Sequence, residues 1–470
     1  MQITFSALDE AVIALYFGAV LLVGFLTARR QRKETVEYLL AGRSLTTPVF
    51  VMTLVSTWYG GILGVGEFSY RYGISNWVIQ GVPYYFFAFL FAFLLAGRVR
   101  ATNFATIPDK LHASYGKPTA LLGAVLTFFL MTPAPYILMI AVLLQILTGW
   151  SLLACVLAGT LATTVYLYAG GFRSDVNTDV LEFFLMFLGF AVILPFAYVK
   201  YGGFAFLKAN VPPLHLTWDG GNSMQFVIVW FFIASWTLVD PSFHQRCYAA
   251  KDPGVAKRGI LWSILFWLLF DAMTATAGLY ARAAIPRLDQ PVLAYPALAE
   301  AVLPPVAKGL FYVGMLATIM STLNTLMFVS ATTLGRDLVW RIKQREESEV
   351  GWTKAGLFIT GILSMGLALA IPSVIKLWYT IGTVIIPGLL VPLVTSYFPS
   401  LTVRPRYAFA AMATGWIISS AWLMAGWSQQ LGGSQYYPLG IEPMYPGLMA
   451  SIVIWAVGWG RRDGTNRSMK

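Results

Sequence analysis

Long apolar stretches alternate with short polar ones along almost the whole chain. A helix that crosses a bilayer needs about 20 predominantly apolar residues, and the pattern predicts about thirteen such segments. In chain order they are 8–28, 46–72, 76–97, 119–148, 150–169, 176–200, 223–247, 258–283, 305–333, 354–372, 374–397, 407–425 and 446–460. This pattern is typical of an all-α polytopic membrane protein.

Two of these spans are predicted to be broken. Positions 60–66 of the second span hold four glycines and are followed by Glu67, and the seventh span contains Asp240-Pro241. Glycine and proline disfavour a continuous helix, and irregular backbone at membrane depth is tolerated where it lines a site. The breaks lie five spans apart, in spans of opposite predicted direction, which favours two five-helix repeats related by inversion.

One transmembrane domain is predicted over 1–470. Its parts are an N-terminal helix and loop (8–45), a first five-helix repeat (46–200), a second repeat (223–397), and a final pair of helices with a tail (407–470). Composition agrees with this interpretation, because 58% of the residues are hydrophobic and 11% are charged. Such a composition excludes an ordinary soluble domain.

The basic residues fall mainly on one side of the predicted topology. The net charge is +11, and if the spans alternate sides, about 25 of the 32 Lys and Arg residues lie in loops on one face. They include Arg29, Arg30, Arg32, Lys33, Arg98, Arg100, Lys257, Arg258, Arg341, Lys343, Arg345, Arg461 and Arg462. The positive-inside rule makes this face cytoplasmic, with the N-terminus outside and the C-terminus inside. We therefore expect a multi-pass plasma membrane protein (the inner membrane in a bacterium) and no nucleic-acid partner.

The ninth span carries a group of hydroxyl side chains on one face. Ser321, Thr322 and Thr325 lie three, four and seven residues after Thr318, which places all four on the same face of a helix. A hard cation such as Na⁺ prefers several oxygen ligands, and a broken neighbouring helix supplies further carbonyls. The alternative is structural, because Ser and Thr in membrane helices also assist packing and bond to their own carbonyls.

Three acids at the start of the sixth span share another face. Asp175, Asp179 and Glu182 are spaced at i, i+4 and i+7. We expect Asp175 to be solvated or paired with Arg173, whereas Asp179 and Glu182 lie deeper and need a cation or a hydroxyl as partner. Asp271 in the eighth span is a further intramembrane acid, for which the sequence names no partner.

Four stretches in chain order resemble motifs of the sodium:solute symporter family, which includes the sodium/proline and sodium/glucose symporters. They are 38–45, 170–179, 241–252 and 320–338. The resemblance implies the leucine-transporter-type fold, a 5+5 inverted repeat with two broken helices. It also implies Na⁺-coupled symport of a small polar organic solute, such as a sugar, polyol or amino acid, by alternating access, rather than an enzyme.

The resemblance also implies where the ion binds. The main Na⁺ site would use side-chain oxygens of Ser321 and Thr322 with backbone carbonyls of Leu54, Thr57 and Thr318. Some members of the family bind a second Na⁺, and that site maps to Asp179, Asn324 and Thr325. Asn324 and Thr325 replace the family's usual small hydroxyls, so the expected cofactor is one Na⁺ or two.

The solute pocket is expected near mid-membrane between the two breaks. Its candidate residues are Trp58, Tyr59, Gly60, Gly61, Gln80, Tyr84, Trp236, Thr237, Asp240, Trp378 and Tyr379. The alternative for the aromatic residues is an anchoring role at the membrane interface. Arg71 and Arg246 are predicted near opposite mouths of the transport pathway, so no arginine is expected in the pocket to bind a carboxylate. A neutral, polyol or amine-bearing solute is therefore favoured over a dianion.

Two alternatives stay open at this point. An H⁺-coupled transporter on the same scaffold would use Asp179 or Glu182, and transport driven by pH without Na⁺ would identify it. A transporter-like sensor usually carries an appended signalling domain, and only about ten residues follow the last span. The partners expected are the solute and the lipid bilayer; the oligomeric state is open, with a monomer sufficient.

Overall fold

The computed structural model describes residues 3–30, 34–343, 349–371, 373–428 and 437–461. These residues are almost entirely helical and contain no strand beyond one isolated bridge between Leu45 and Ala250. The basic positions Arg32, Lys33, Arg345 and Arg462 lie outside the described residues.

Each of the predicted membrane segments is helical. The helices run Ala7–Arg30, Thr47–Trp58 with Ile62–Tyr72, Trp77–Gly81 with Val82–Leu94, Lys117–Leu130 with Ala134–Thr148, Leu152–Tyr201, Met224–Ile233 with Trp236–Val239 and Pro241–Ala249, Pro253–Ala284, Ala307–Thr332 with Thr333–Trp340, Glu349–Ala370, Val374–Ser396, Pro405–Ser428 and Met444–Gly460. In the described part of the chain, ten spans are long and apolar enough to cross a membrane, or eleven with the bent second span. The fifth and thirteenth predicted spans are shorter apolar helices, Leu152–Val165 and Met444–Gly460.

The second span is broken where its glycines predict. Its two halves meet at an angle of 58° between Trp58 and Ile62. Side chains of other helices pack closely against the backbone of the break. A Cβ on Gly60 would lie 2.0 Å from Thr322 Oγ1, and one on Gly61 would lie 2.2 Å from Trp378 Cη2. Glycine is therefore required here because other helices touch the backbone of the break.

The seventh span is interrupted at the predicted position. Asp240 has extended backbone angles (φ −68°, ψ 115°), and its side chain accepts hydrogen bonds from the first amides of the helix Pro241–Ala249. Proline fits the first position of a helix, where its missing N–H costs nothing. Asp240-Pro241 thus ends one helix and begins the next, as the pattern predicted. Of the described helix pairs, only the second span bends by more than 40°.

Two further helix irregularities, in the fourth span and between the fifth and sixth spans, were not predicted. The fourth span divides into Lys117–Leu130 and Ala134–Thr148, with Pro133 between them. The fifth and sixth spans form a single helical run, Leu152–Tyr201, kinked at Gly171, whose φ of 53° lies in the left-handed region. The Gly170-Gly171 turn therefore separates two helices within this range.

The ninth span is the centre of the bundle. Its most apolar 18-residue window is 100% buried, whereas the first span's is 22% buried and presents its apolar side chains outward. The sixth span packs directly on the ninth, because a Cβ on Gly189 would lie 2.8 Å from Gly314 Cα. The helix that carries the predicted ion-binding hydroxyls is thus enclosed on every side.

An ion network closes one end of the ninth span. Arg336 lies 2.7 Å from Asp337, 2.7 Å from Glu349 and 3.0 Å from Asp109, and Arg341 lies 2.6 Å from Asp109. Asp109 belongs to the connection between the third and fourth spans, outside the membrane segments. Burial by itself raises the pKa of Asp109, but the Arg336 and Arg341 guanidinium groups outweigh it and hold the pKa below its ordinary value.

Replacing Asp109 should test this network. Asp109→Asn removes one of the two carboxylates that Arg336 and Arg341 share, the other being Asp337, and should lower the free energy of unfolding by roughly 3 kcal/mol, seen as a lower melting temperature at pH 7. Because the pKa is lowered, the contribution is complete above the ordinary value and is lost only as pH falls through the folded pKa. Asp289→Asn, at an exposed carboxylate, should change stability by less than about 0.5 kcal/mol. Equal melting temperatures for the two variants would contradict the role given to Asp109.

Candidate functional site

The break in the second span contacts the ninth span through backbone and hydroxyl oxygens. Thr322 Oγ1 donates to the carbonyl of Thr57 at 2.5 Å and lies 3.4 Å from the carbonyl of Thr318. Leu54 lies one turn before Thr57 and is fully buried. Neutral oxygens of both helices therefore meet at the break, where the sequence placed the main ion site.

Ser321 connects this cluster to the sixth span. Its hydroxyl donates to Asp179 Oδ1 at 2.6 Å, and both side chains are fully buried. Thr57 Oγ1 lies 3.4 Å from the other carboxylate oxygen of Asp179. The candidate ion site thus joins three helices, and one wall of it carries a negative charge.

Arg246 lies inside the cluster, and its predicted place near a membrane mouth is wrong. Its Nη2 lies 3.0 Å from Asp179 Oδ2 and 3.0 Å from Thr325 Oγ1, and it also donates to Thr57 Oγ1. The side chain is fully buried. The reason is the interruption at Asp240, because the short helix that follows it, Pro241–Ala249, packs inside the bundle and aims Arg246 at the sixth, second and ninth spans.

Asp175 is also buried, contrary to expectation. It accepts a hydrogen bond from Thr325 Oγ1 at 2.6 Å and lies 4.0 Å from the Arg246 guanidinium, with no exposed surface. Arg173, its expected partner, instead forms an ion pair with Glu37 at 2.7 Å. The kink at Gly171 turns the start of the sixth span inward, so that Asp175 joins the buried charges.

The residues expected at a second ion site do not act as one group. Asp179 and Thr325 both contact the Arg246 guanidinium. Asn324 is fully buried, and neither polar atom of its side chain has a partner in the described structure. Of the oxygens mapped to a second Na⁺, Asp179 Oδ2 and Thr325 Oγ1 are therefore bonded to a cationic side chain, whereas the Asn324 amide oxygen is not.

A cavity between the two breaks collects most of the predicted solute residues. Eight of the predicted eleven line it: Trp58, Tyr59, Gly61, Gln80, Tyr84, Trp236, Asp240 and Trp378. Thr57 and Thr322 line the same cavity. The ion-site oxygens and the cavity therefore share a wall.

Three predicted solute residues lie elsewhere. Gly60 packs against Thr322. Thr237 is buried and donates to the carbonyl of Ala234 at 3.0 Å. The hydroxyl of Tyr379 donates to the Glu442 carboxylate beyond the twelfth span. None of the three is in the cavity lining.

Sequence reasoning missed about half of the lining. The additional residues are Val65, Gly81, Tyr85, Met131, Tyr136, Trp230, Ile233, Ser242, Trp267, Asp271 and Leu326. One signal was present: Trp267 and Asp271 stand at i and i+4 on the eighth span, so a large aromatic and an intramembrane acid share a face. Pro133 was another, because it interrupts the fourth span beside Met131 and Tyr136.

The structure supplies the partners of Asp271 that the sequence could not name. The hydroxyls of Tyr59 and Tyr85 donate to its two carboxylate oxygens. Trp77 in turn donates to the Tyr85 hydroxyl at 3.1 Å. Asp271 is thus an acid at the cavity wall whose oxygens are both occupied by tyrosines.

Comparison with known proteins agrees with this arrangement. The model of the family described as "Sodium:solute symporter family" matches residues 38–415. The sodium/pantothenate symporter of Haemophilus influenzae is 29% identical over 69% of this chain and 70% of its own length. That of Escherichia coli is 26% identical over 97% of both chains.

Solved structures show the fold. A Na⁺-coupled sialic acid symporter in a substrate-bound outward-open state superposes with a TM-score of 0.77 at 16% identity, over 98% of this chain and 99% of its own. Mhp1, of the nucleobase-cation-symport-1 family, superposes with a TM-score of 0.60 at 12% identity, over 89% and 93%. The leucine-transporter-type fold predicted from the sequence is confirmed.

These findings decide the class of the protein. The thirteen helical segments, the broken second span and the site between the repeats match a secondary transporter of the membrane and not an enzyme. Membership of this family supports the use of Na⁺ but does not give the number of ions that bind. The family model covers far more than half of the sequence, and the chain belongs to the sodium:solute symporter family.

Proposed function

We propose that this protein imports a small polar organic solute together with Na⁺ by alternating access. The observation that carries the proposal is the contact of Thr322 Oγ1 with the carbonyl of Thr57, because it joins the broken second span to the ninth span beside the cavity. The ion would bind the carbonyls of Leu54, Thr57 and Thr318 and the hydroxyls of Ser321 and Thr322. All of these residues come from one chain, so a monomer suffices.

The shared wall explains how ion and solute would be coupled. Thr57 and Thr322 face the proposed ion and also line the cavity. An ion that fixes these two residues orders the wall against which the solute binds, so each ligand raises the affinity for the other by the same factor. Coupling of this kind needs no direct contact between ion and solute.

The contacts of the buried cluster support one Na⁺ per cycle. Asp175 and Asp179 face the single guanidinium of Arg246. One Na⁺ at the neutral oxygens of the break would lie beside Asp179, whose Oδ1 accepts from the Ser321 hydroxyl. A second ion at Asp179 and Thr325 would face the guanidinium that already contacts both.

The direction of transport follows from the electrochemical gradient of Na⁺, which points inward across a bacterial inner membrane or other plasma membrane; the predicted orientation places the N-terminus outside and the C-terminus inside. The predicted repeats, 46–200 and 223–397, supply a bundle of spans two, three, seven and eight that rocks against the remaining helices. Moving one positive charge inward releases ~2.3 kcal/mol of free energy per 100 mV of membrane potential, and a tenfold Na⁺ gradient adds ~1.4 kcal/mol. Together these drive accumulation of roughly several hundredfold.

A second candidate is H⁺-coupled transport, and one observation favours it. Glu182 is fully buried, with Oε1 accepting from the Tyr16 hydroxyl at 3.0 Å and Oε2 without a partner in the described structure. Asp179, by contrast, is paired with Arg246. The H⁺-coupled alternative therefore rests on Glu182, and solute uptake driven by a pH gradient without Na⁺ would identify it.

The ion site can be tested without knowing the solute. For purified protein in detergent, Na⁺ at ten times its dissociation constant should stabilise the wild type by ~1.4 kcal/mol, raising the melting temperature above that in K⁺ at equal ionic strength. Ser321→Ala/Thr322→Ala should abolish this difference, because it removes the hydroxyl ligands. The control Thr332→Ala, whose hydroxyl bonds to its own helix, should retain it. A wild type that melts at the same temperature in Na⁺ and K⁺ would contradict Na⁺ coupling.

The number of ions can be counted by equilibrium binding of radioactive ²²Na⁺ to the purified protein. We expect one Na⁺ per chain at saturation, because the oxygens mapped to a second ion face the guanidinium of Arg246. Thr322→Ala should bind none, and Asn324→Ala should still bind one, since Asn324 is outside the proposed site. Two ions in the wild type, with one lost in Asn324→Ala, would show that the second site is real.

A further inference from the structure

We propose that the solute is an organic cation, an ammonium or guanidinium compound, bound by Asp240 within the aromatic cavity. The inference rests on the proposed function, since it names the class of solute taken by the same site. It is drawn from the charge of the cavity lining and from the geometry of its two acids.

The cavity lining is acidic and contains no basic side chain. Asp240 is 4% exposed and Asp271 is 6% exposed, and both line the cavity. None of the described lining residues is Lys, Arg or His. The buried guanidinium of Arg246 is bonded to Asp179 and to threonine hydroxyls, and in the described residues its ion pairs are with Asp175 and Asp179 rather than with these two carboxylates.

Asp240 has the geometry of a carboxylate with one oxygen left for a ligand. Its Oδ1 accepts from the Ser242 amide at 2.7 Å, the Ser242 hydroxyl at 2.5 Å and the Phe243 amide at 3.3 Å. Donors of this kind and the positive end of the helix stabilise the charged form. All three contacts fall on Oδ1, which leaves Oδ2 as the acceptor beside the cavity.

Asp271 is a second acid of the lining, but it is not the direct contact. Both of its oxygens accept from tyrosine hydroxyls, those of Tyr59 and Tyr85. Asp271 therefore has both oxygens occupied by donors of the protein, and Asp240 is the acid that makes the ion pair.

The remaining lining is suited to the substituents around a cationic centre. Trp58 and Tyr84 pack with ring centroids 5.1 Å apart at 69°, and Tyr136 and Trp378 lie 6.4 Å apart at 50°. Aromatic faces attract a cation, and the attraction is stronger where water is excluded. Trp236 supplies a further ring to the lining.

Other classes of solute fit this lining less well. A carboxylate or phosphate would be placed beside two acids with no base to receive it, and such a charge is strongly disfavoured at low dielectric. A neutral polyol can donate hydrogen bonds to Asp240, but it leaves the charge of Asp240 uncompensated at membrane depth. A single positive charge on the solute compensates it.

A matched pair of probes tests the inference. Choline and 3,3-dimethylbutan-1-ol have the same shape, and only choline is charged. Their binding in Na⁺ is measured by the shift in melting temperature of the wild-type protein, with ethanolamine and agmatine as further cations and glucose and pantothenate as uncharged and anionic comparators. We expect at least one of the three cations to bind at least tenfold more tightly than 3,3-dimethylbutan-1-ol, glucose and pantothenate.

The variants assign the effect to Asp240. Asp240→Asn keeps a good helix cap and should weaken cation binding at least tenfold, while Asp240→Glu should retain the preference for the charged probe. The control Glu67→Gln, at an acid that pairs with Arg71 outside the cavity, should behave as the wild type. Retention of the Na⁺-dependent shift in melting temperature confirms that each variant is folded.

The inference is overturned if an uncharged or anionic probe binds as tightly as the best cation. It is also overturned if none of the three cations binds although Na⁺ stabilises the protein, or if Asp240→Asn leaves the preference for the charged probe intact. Failure of the proposed function is a separate result, because it appears as the absence of any Na⁺-specific stabilisation before a solute is added.

Discussion

The structure depends on the contact between a broken helix and an unbroken one. The second span breaks at Tyr59–Gly61 because glycine lets Thr322 and Trp378 approach its backbone, and the freed carbonyl of Thr57 accepts from the Thr322 hydroxyl. In a membrane, such a carbonyl must find a partner inside the protein. A hydroxyl provides only part of what the break requires, and a small cation bound at the same oxygens would complete it.

Charge distribution divides the interior into two regions. Around the candidate ion site, two aspartates lie beside one arginine. Around the cavity, Asp240 and Asp271 have hydroxyl and amide donors but no basic partner. Thr57 and Thr322 belong to both regions, so a structural change in one region alters the other region. This shared wall is the physical basis of the proposed coupling.

The features that could be predicted from the sequence are those with a local cause. The glycines at 60 and 61 and Asp240-Pro241 disfavour a continuous helix through their own backbone chemistry, and the spacing of Thr318, Ser321 and Thr322 places them on one face. Arg246 could not be placed, because its position depends on contacts with Asp179 and Thr57, 67 and 189 residues away. For the same reason Tyr136 and Trp267 appeared to be ordinary apolar residues until their spans were packed around the cavity.

Hydrogen–deuterium exchange measured by mass spectrometry tests the central claim most directly, because it reports local opening of each helix. The purified protein would be compared in Na⁺ and in K⁺ at equal ionic strength. The account predicts Na⁺-specific slowing of exchange in peptides that cover the break of the second span, around Thr57–Gly61, and in those that cover Thr318–Thr322. Identical exchange in the two salts at both places, or slowing at one without the other, would contradict an ion that joins these helices.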